Sequence, residues 1–190
     1  WNAAYPTAGA RMNGSRARLH DFYSLFVELR AEPTELPFEL GGATQMGQLG
    51  DHHNNQDALA LLSGRSHIVA VVADGCASGG LRHSHNEVGA KFQAMLLTDM
   101  LDEALVDGGV QQLMSKLPRL EERLLDDLRS IITTLSAHPK SPSETALSQS
   151  FFTSTLLAAA IDTEHFVVFG CGDGVLWIND RCIDLDGQEG

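Results

Sequence analysis

Three aspartates stand where apolar runs begin or end, positions from which a carboxylate can leave a protein core and meet a metal or a substrate. Asp74 follows HIVAVVA (His67–Ala73), an uncharged run that reads as a core strand. Gly75 behind it lets the backbone turn sharply. Asp57 opens a second apolar run within Asn55-Gln56-Asp57-Ala58, and Asp173 lies in Gly170-Cys171-Gly172-Asp173-Gly174, between the strand signals HFVVFG and VLWI. A single Asp-Gly is weak, because both are ordinary turn residues and a capped strand end accounts for it. Three acidic strand ends together carry more weight. Carboxylates, carbonyls and water are the donor set that suits Mg²⁺ or Mn²⁺, which prefer oxygen and retain bound water.

Five segments in order then resemble the metal-dependent Ser/Thr protein phosphatases of the PP2C type, especially their bacterial PP2C-like branch. They are a first strand around GGATQMG (Gly41–Gly47), the NQDA element (Asn55–Ala58), VVADGCASG (Val71–Gly79), the helix opening SHNEVGAKF (Ser84–Phe92), and FFTSTLLAAAIDTEHFVVFGCGDGVLWIND (Phe151–Asp180). The last is the most specific, since it pairs a Thr-rich strand with a second strand ending in Gly-Asp-Gly. The resemblance runs from about Gly41 to Asp186.

The resemblance implies a fold, a site and a reaction. The fold is α+β, an αββα sandwich of two antiparallel sheets flanked by helices. Asp74 is the carboxylate that bridges two Mn²⁺ or Mg²⁺ ions, with the Gly75 carbonyl on one of them. Asp57 acts close to the same metal, Gln56 occupies the position where some relatives carry Glu, and Asp173 matches the acidic residue of a further, weaker metal position. His52 or His53 stands where relatives place a phosphate-contacting Arg or His. Hydrolysis of a phosphoserine or phosphothreonine ester needs a nucleophilic water, neutralised phosphoryl oxygens and a stabilised leaving oxygen, and two cations supply all three. Asp74 and Asp57 are therefore the expected catalytic residues. The family completes its site with two later aspartates in Asp-Gly and Asp-Asn elements, which the sequence does not contain, so the chain is expected to be the N-terminal part of a longer catalytic domain. A catalytically inactive regulatory or partner-binding module is the other reading.

Competing chemistries fit less of the sequence. Cys76 and Arg82 have the spacing of a cysteine-phosphatase loop, but that reading leaves Asp74-Gly75 and the remote Gly-Asp-Gly unexplained. Ser78 lacks the Gly two residues before it that a nucleophile elbow requires. His52-His53 and His83-Ser84-His85 could hold zinc, although neighbouring histidines in polar stretches are usually solvated. Cys76, Cys171 and Cys182 match no zinc spacing and are odd in number, which favours reduced thiols.

A net charge of -12, with Lys and Arg scattered, argues against nucleic-acid or anionic-membrane partners and leaves a phosphorylated protein as the expected one. No apolar run approaches the roughly 18 residues that span a bilayer, and the first residues have no apolar core like that of a secretory signal. The expected location is the cytoplasm.

The elements that must position the aspartates follow from periodicity and punctuation. Residues 1–37 read as a leader or linker with one apolar helical stretch, Phe22–Leu29, and residues 38–190 as the phosphatase-like domain. Strands dominate from Phe38 to Asp74. Ser84 and Glu87 form a capping box for a long amphipathic helix whose period runs through Val88, Phe92, Met95, Leu96, Leu101 and Leu105. A second helical stretch, Val110–Ala137, is interrupted near Pro118 and carries a stripe of Leu120, Leu124, Leu128, Ile131, Ile132 and Leu135. After a loop over His138–Glu144, strands are predicted at Phe151–Ile161, His165–Phe169, Val175–Ile178 and Arg181–Ile183, with turns at Asp162–Glu164 and Asn179–Asp180. Strands, then helices, then strands imply segregated layers.

Overall fold

The longest apolar runs become the central strands of a sheet. In this computed structural model, which describes residues 27–31, 36, 41–44, 55–76, 84–172 and 174–184, the elements run β1 (Val27–Ala31), β2 (Asp57–Ser63), β3 (Ile68–Gly75), α1 (Asn86–Val106), α2 (Gly109–Ser136), α3 (Glu144–Phe151), β4 (Ser154–Ile161), β5 (Phe166–Cys171), β6 (Val175–Ile178) and β7 (Arg181–Asp184). One sheet has the order β1-β2-β3-β4-β5, and β6 pairs with β7 in a second. Among the described residues, two sheets and three helices, with strands and helices segregated along the chain, make the fold α+β, as expected.

All pairings are antiparallel except that of β1 with β2, which is parallel. The long connection between those two strands allows it, whereas the short connections within β2–β3, β4–β5 and β6–β7 enforce the antiparallel sense, and β3 and β4 are joined through the three helices. The helical reading of Phe22–Leu29 is corrected here, because Val27–Leu29 belong to β1 and Phe22–Phe26 lie outside the described residues. Val-Glu-Leu-Arg-Ala alternates apolar and charged residues with period two, and pairing with β2 decides an ambiguous local preference.

One face of the sheet presents Ala58, Ala60, Leu62, Val69, Val71, Ala73, Leu156, Ala158 and Ala160 to a core shared with Ala90, Ala94, Leu97, Leu101 and Ala104 of α1. Alanines on both sides let helix and sheet approach closely. That requirement changes which face of α1 is buried. Phe92 is 45% exposed and Val88, Met95 and Leu96 are only half-buried, while Gln93 and Thr98 are inside. Leu101 and Leu105 are buried as the period predicts, while in the first turns Ala90 and Ala94 take the core face, and the two polar intruders are satisfied: Gln93 donates to the Phe152 carbonyl at 3.1 Å and Thr98 to that of Ala94 at 2.7 Å.

The capping box does not form. His85 is the N-cap of α1 and makes no side-chain cap. Ser84 instead accepts from Gln56 at 3.1 Å, and Glu87 faces His85 at 3.3 Å. The His85 amide is held by the Ser150 carbonyl at 2.6 Å, so contacts with α3 replace the local cap.

Helix α2 runs through Pro118 without interruption. Proline removes the bond to the carbonyl of Met114, a residue that is 59% exposed, so water can satisfy that group. Leu120, Leu124 and Leu128 are buried as the stripe predicts, but Ile131 and Ile132 are half-buried and Leu135 is exposed. Helix α3 was not foreseen. Its signal was present in Ser143, whose hydroxyl accepts from the Ala146 amide at 3.3 Å, followed by Glu144 in the first turn.

Asp162, in the predicted turn between β4 and β5, works as a remote cap. One oxygen accepts from the Val110 amide at the start of α2 at 2.9 Å, and the other accepts from Glu164 and His165 at 2.8 and 2.7 Å. Burial acts to raise its pKa, but the three amides and the neighbouring His165 outweigh burial and hold the carboxyl below the ordinary carboxylate range. The stabilisation is therefore present above the ordinary carboxylate pKa and is lost as pH falls. Asp162→Ala is expected to lower stability at neutral pH by about 0.5–2 kcal/mol, the range for losing an N-terminal cap. Urea denaturation of the two proteins at pH 7 measures it.

Candidate active site

The β2–β3 hairpin places two of the predicted aspartates opposite one another. Its turn is closed by the Gly64 amide donating to the His67 carbonyl at 2.9 Å, and is braced by buried His67 against Asp102 of α1 at 2.6 Å. From that turn the antiparallel register runs down to the pair Asp57↔Asp74, and Asp74 also faces Thr155 on β4. Directly opposed residues of one sheet lie on the same face, with Cβ atoms about 5 Å apart. The face they occupy is the one turned away from α1.

The two carboxylates share a cavity of about 310 Å³ with Ala43, Thr44, Ala58, Leu59 and Val72. Asp74 is exposed and Asp57 half-buried. Burial, followed by hydrogen bonding and charge repulsion from Asp74, pushes the Asp57 carboxyl up to about 6, against the lowering effect of the Thr44 hydroxyl. The pair thus holds a proton in mildly acidic solution, because two negative charges this close need a positive partner.

Gly75 is required by close approach. A Cβ there would come within 2.7 Å of the Gln56 carbonyl oxygen and 2.9 Å of the Asn86 carbonyl carbon, both main-chain atoms that cannot swing aside. Asn86, fully buried at the start of α1, ties the surrounding chain together. Its amide nitrogen donates to the carbonyls of Cys76 and Gln149, and its oxygen accepts from the Thr153 amide at 3.1 Å. The strand end that carries Asp74 is thereby joined to α1, α3 and the start of β4.

The other predicted residues are distributed as follows. Gln56 adjoins the pair, but its side chain is turned to Ser84 and its carbonyl accepts from the Gly75 amide at 3.1 Å. Cys76 is half-buried, with its thiol directed to the Asp74 carbonyl at 3.5 Å, and Cys76, Cys171 and Cys182 form no disulfide. His85 stacks on Phe151 with ring centroids 5.5 Å apart. His52, His53, His83, Arg82 and Asp173 lie outside the described residues. Thr44, Asn55, Asn86 and Thr155 were missed as site neighbours. All four lie within the quoted segments, but only Asn55, two residues before Asp57, carried a sequence signal as a polar side chain beside a strand-end aspartate.

The family model described as Protein phosphatase 2C matches residues 45–184, most of the chain, including the whole span from β2 to β7. The chain belongs to the protein phosphatase 2C family. No curated protein and no solved structure matches it significantly. Within the matched span lie Asp57, Asp74, Gly75 and Asp173, and with them His52 and His53.

The family's divalent cations, Mn²⁺ or Mg²⁺, can be tested against this chemistry. Among the described residues no group of three His, Cys, Asp or Glu side chains comes together as a metal cluster. The opposed pair does fit a hard cation. It offers only oxygen, it opens on a cavity, and its mutual repulsion is what a positive charge relieves.

The raised Asp57 carboxyl sets a pH dependence for the metal-free phosphatase domain. Its folded-state value of about 6 lies above the ordinary 3.8, so its protonation favours the folded state below about pH 4. That contribution is lost as pH rises through about 6. In EDTA, the melting temperature of the protein should fall relative to that of Asp57→Asn between pH 4 and pH 7. Calorimetry across that interval reads the difference, and parallel curves would remove the shift from the account.

Proposed function

We propose that this protein phosphatase 2C member is a metal-dependent hydrolase of phosphoserine and phosphothreonine in proteins. The observation that carries the reading is the opposition of Asp57 and Asp74 across β2 and β3 at a shared cavity. Asp57 and Asp74 would hold Mn²⁺ or Mg²⁺, with the Gly75 carbonyl and Asp173 as the further oxygen donors that the family resemblance implies. Lewis acidity towards the phosphoryl oxygens and a lowered water pKa are what the cations supply when bound.

The chain's own contribution is placement. Hairpin register fixes the separation of the carboxylates, and the close packing around Gly75 holds the turn beneath them. Leu59, Val72 and Ala43 give the cavity an apolar wall, which strengthens electrostatic attraction between the acidic pair and any cation beside it. In such a protein an acidic surface is compatible with a phosphorylated substrate, because cations held by the carboxylates would offset their charge. His52 and His53 are assigned to that phosphate.

The second reading, a regulatory module without catalysis, draws on the presence of only two clustered carboxylates among the described residues. A phosphopeptide assay separates the two. Phosphate release should require Mn²⁺ or Mg²⁺, stop in EDTA, and survive in Cys76→Ser, since a thiolate nucleophile is not used. Absence of both turnover and cation binding would favour the regulatory module. Loss of activity in Cys76→Ser with cation binding intact would restore the cysteine mechanism.

A further inference from the structure

The segment before β2 meets the aspartate pair through side chains to which no role has been given. Buried Asn55 uses both ends of its amide: the nitrogen donates to the Thr44 hydroxyl at 2.8 Å, and the oxygen accepts from the Asp57 amide at 3.2 Å. The second contact is a local Asx turn, which fixes the backbone as it enters β2. The first spans 11 residues and settles the direction of the next bond. A hydroxyl that accepts from an amide still has its own proton to give. Thr44 lines the same cavity as Asp57 and Asp74, and its hydroxyl lies close enough to Asp57 to favour the carboxylate form. Nearby, the chain at Gly42 lies so close to Leu59 that a Cβ there would overlap its side chain, which anchors this segment on β2.

The geometry points to a positioning relay in which the Asn55 amide orients the Thr44 hydroxyl and the hydroxyl holds the Asp57 carboxylate in one rotamer facing Asp74. Partners of this kind, which touch a ligand's side chain rather than the cation, commonly set metal affinity by about 10- to 100-fold. The relay rests on the reading of Asp57 as a metal ligand for its consequence, though not for its existence.

Two variants test it. Thr44→Val keeps the shape and removes the hydroxyl, whereas Thr44→Ser keeps the hydroxyl. In the metal-free protein, Hα–Hβ couplings of Asp57 should report a single rotamer for the parent and Thr44→Ser, and averaging for Thr44→Val, with melting temperatures little changed. In calorimetric titrations with MnCl₂, Thr44→Val should bind about tenfold more weakly or worse, while Thr44→Ser stays within about threefold of the parent. A single rotamer in Thr44→Val, averaging in the parent, or a serine variant that behaves like valine would each overturn the relay. If the rotamer depends on the hydroxyl but no variant, nor the parent, binds Mn²⁺, the relay stands and the metal-dependent reading of the site fails.

Discussion

Asp74→Asn is expected to lower Mn²⁺-dependent hydrolysis of a phosphoserine or phosphothreonine peptide by about 10³-fold or more while leaving the fold intact. Asp74 faces Asp57 on one side and Thr155 on the other, at the open end of β3. Its carboxylate is exposed, and asparagine has the same shape, so little packing is lost. What disappears is one of two negative charges available to cations. In the proposed mechanism, charge stabilisation of several kcal/mol in the transition state would depend on those cations, and each 1.36 kcal/mol is about a factor of ten in rate. Steady-state kinetics over a range of MnCl₂ concentrations, with a thermal melt of each protein, supply the comparison. Turnover equal to that of the parent would take Asp74 out of the active site.

The largest effect on stability should come from Asn86→Ala. Asn86 is fully buried and serves the carbonyls of Cys76 and Gln149 and the amide of Thr153. Removing its side chain leaves those main-chain groups without their partner, at about 1–3 kcal/mol for each that water cannot reach. A loss of about 3 kcal/mol corresponds to a fall of about 6–12 °C in melting temperature for a domain of this size. Because Cys76 lies two residues beyond Asp74, the variant should also weaken cation binding. A melting temperature within about 2 °C of the parent would mean that water or a shifted backbone replaces all three contacts.

The parts of the fold that were legible in the sequence are those whose signal is local. The β-branched run of β3, the apolar runs of β5 and β6, and the turns at Asp162 and Asn179 carry their own punctuation, and Asn179 takes the positive φ of 53° that such a turn favours. Leu120, Leu124 and Leu128 announced the buried face of α2. The errors arose where distant contacts compete with local preference. Val27–Ala31 became a strand because β2 offers it an edge, Ser84 left its expected capping role for Gln56, and α1 turned its alanines rather than Phe92 to the sheet.

For the site, the sequence by itself determined the chemistry on offer: aspartates at the ends of apolar runs, glycines where the chain must turn tightly, and the segments that identify the protein phosphatase 2C family. Those properties depend on residue type and short spacing, which periodicity and motif record directly. Tertiary structure alone decided that Asp57 faces Asp74, that Asn86 secures the strand end, and that Thr44 reaches Asn55 and shares a cavity with Asp57. It also decided the raised Asp57 carboxyl, because desolvation and repulsion depend on which groups are brought near, and Asp74 and Thr44 reach Asp57 only once the hairpin and the segment before it have folded.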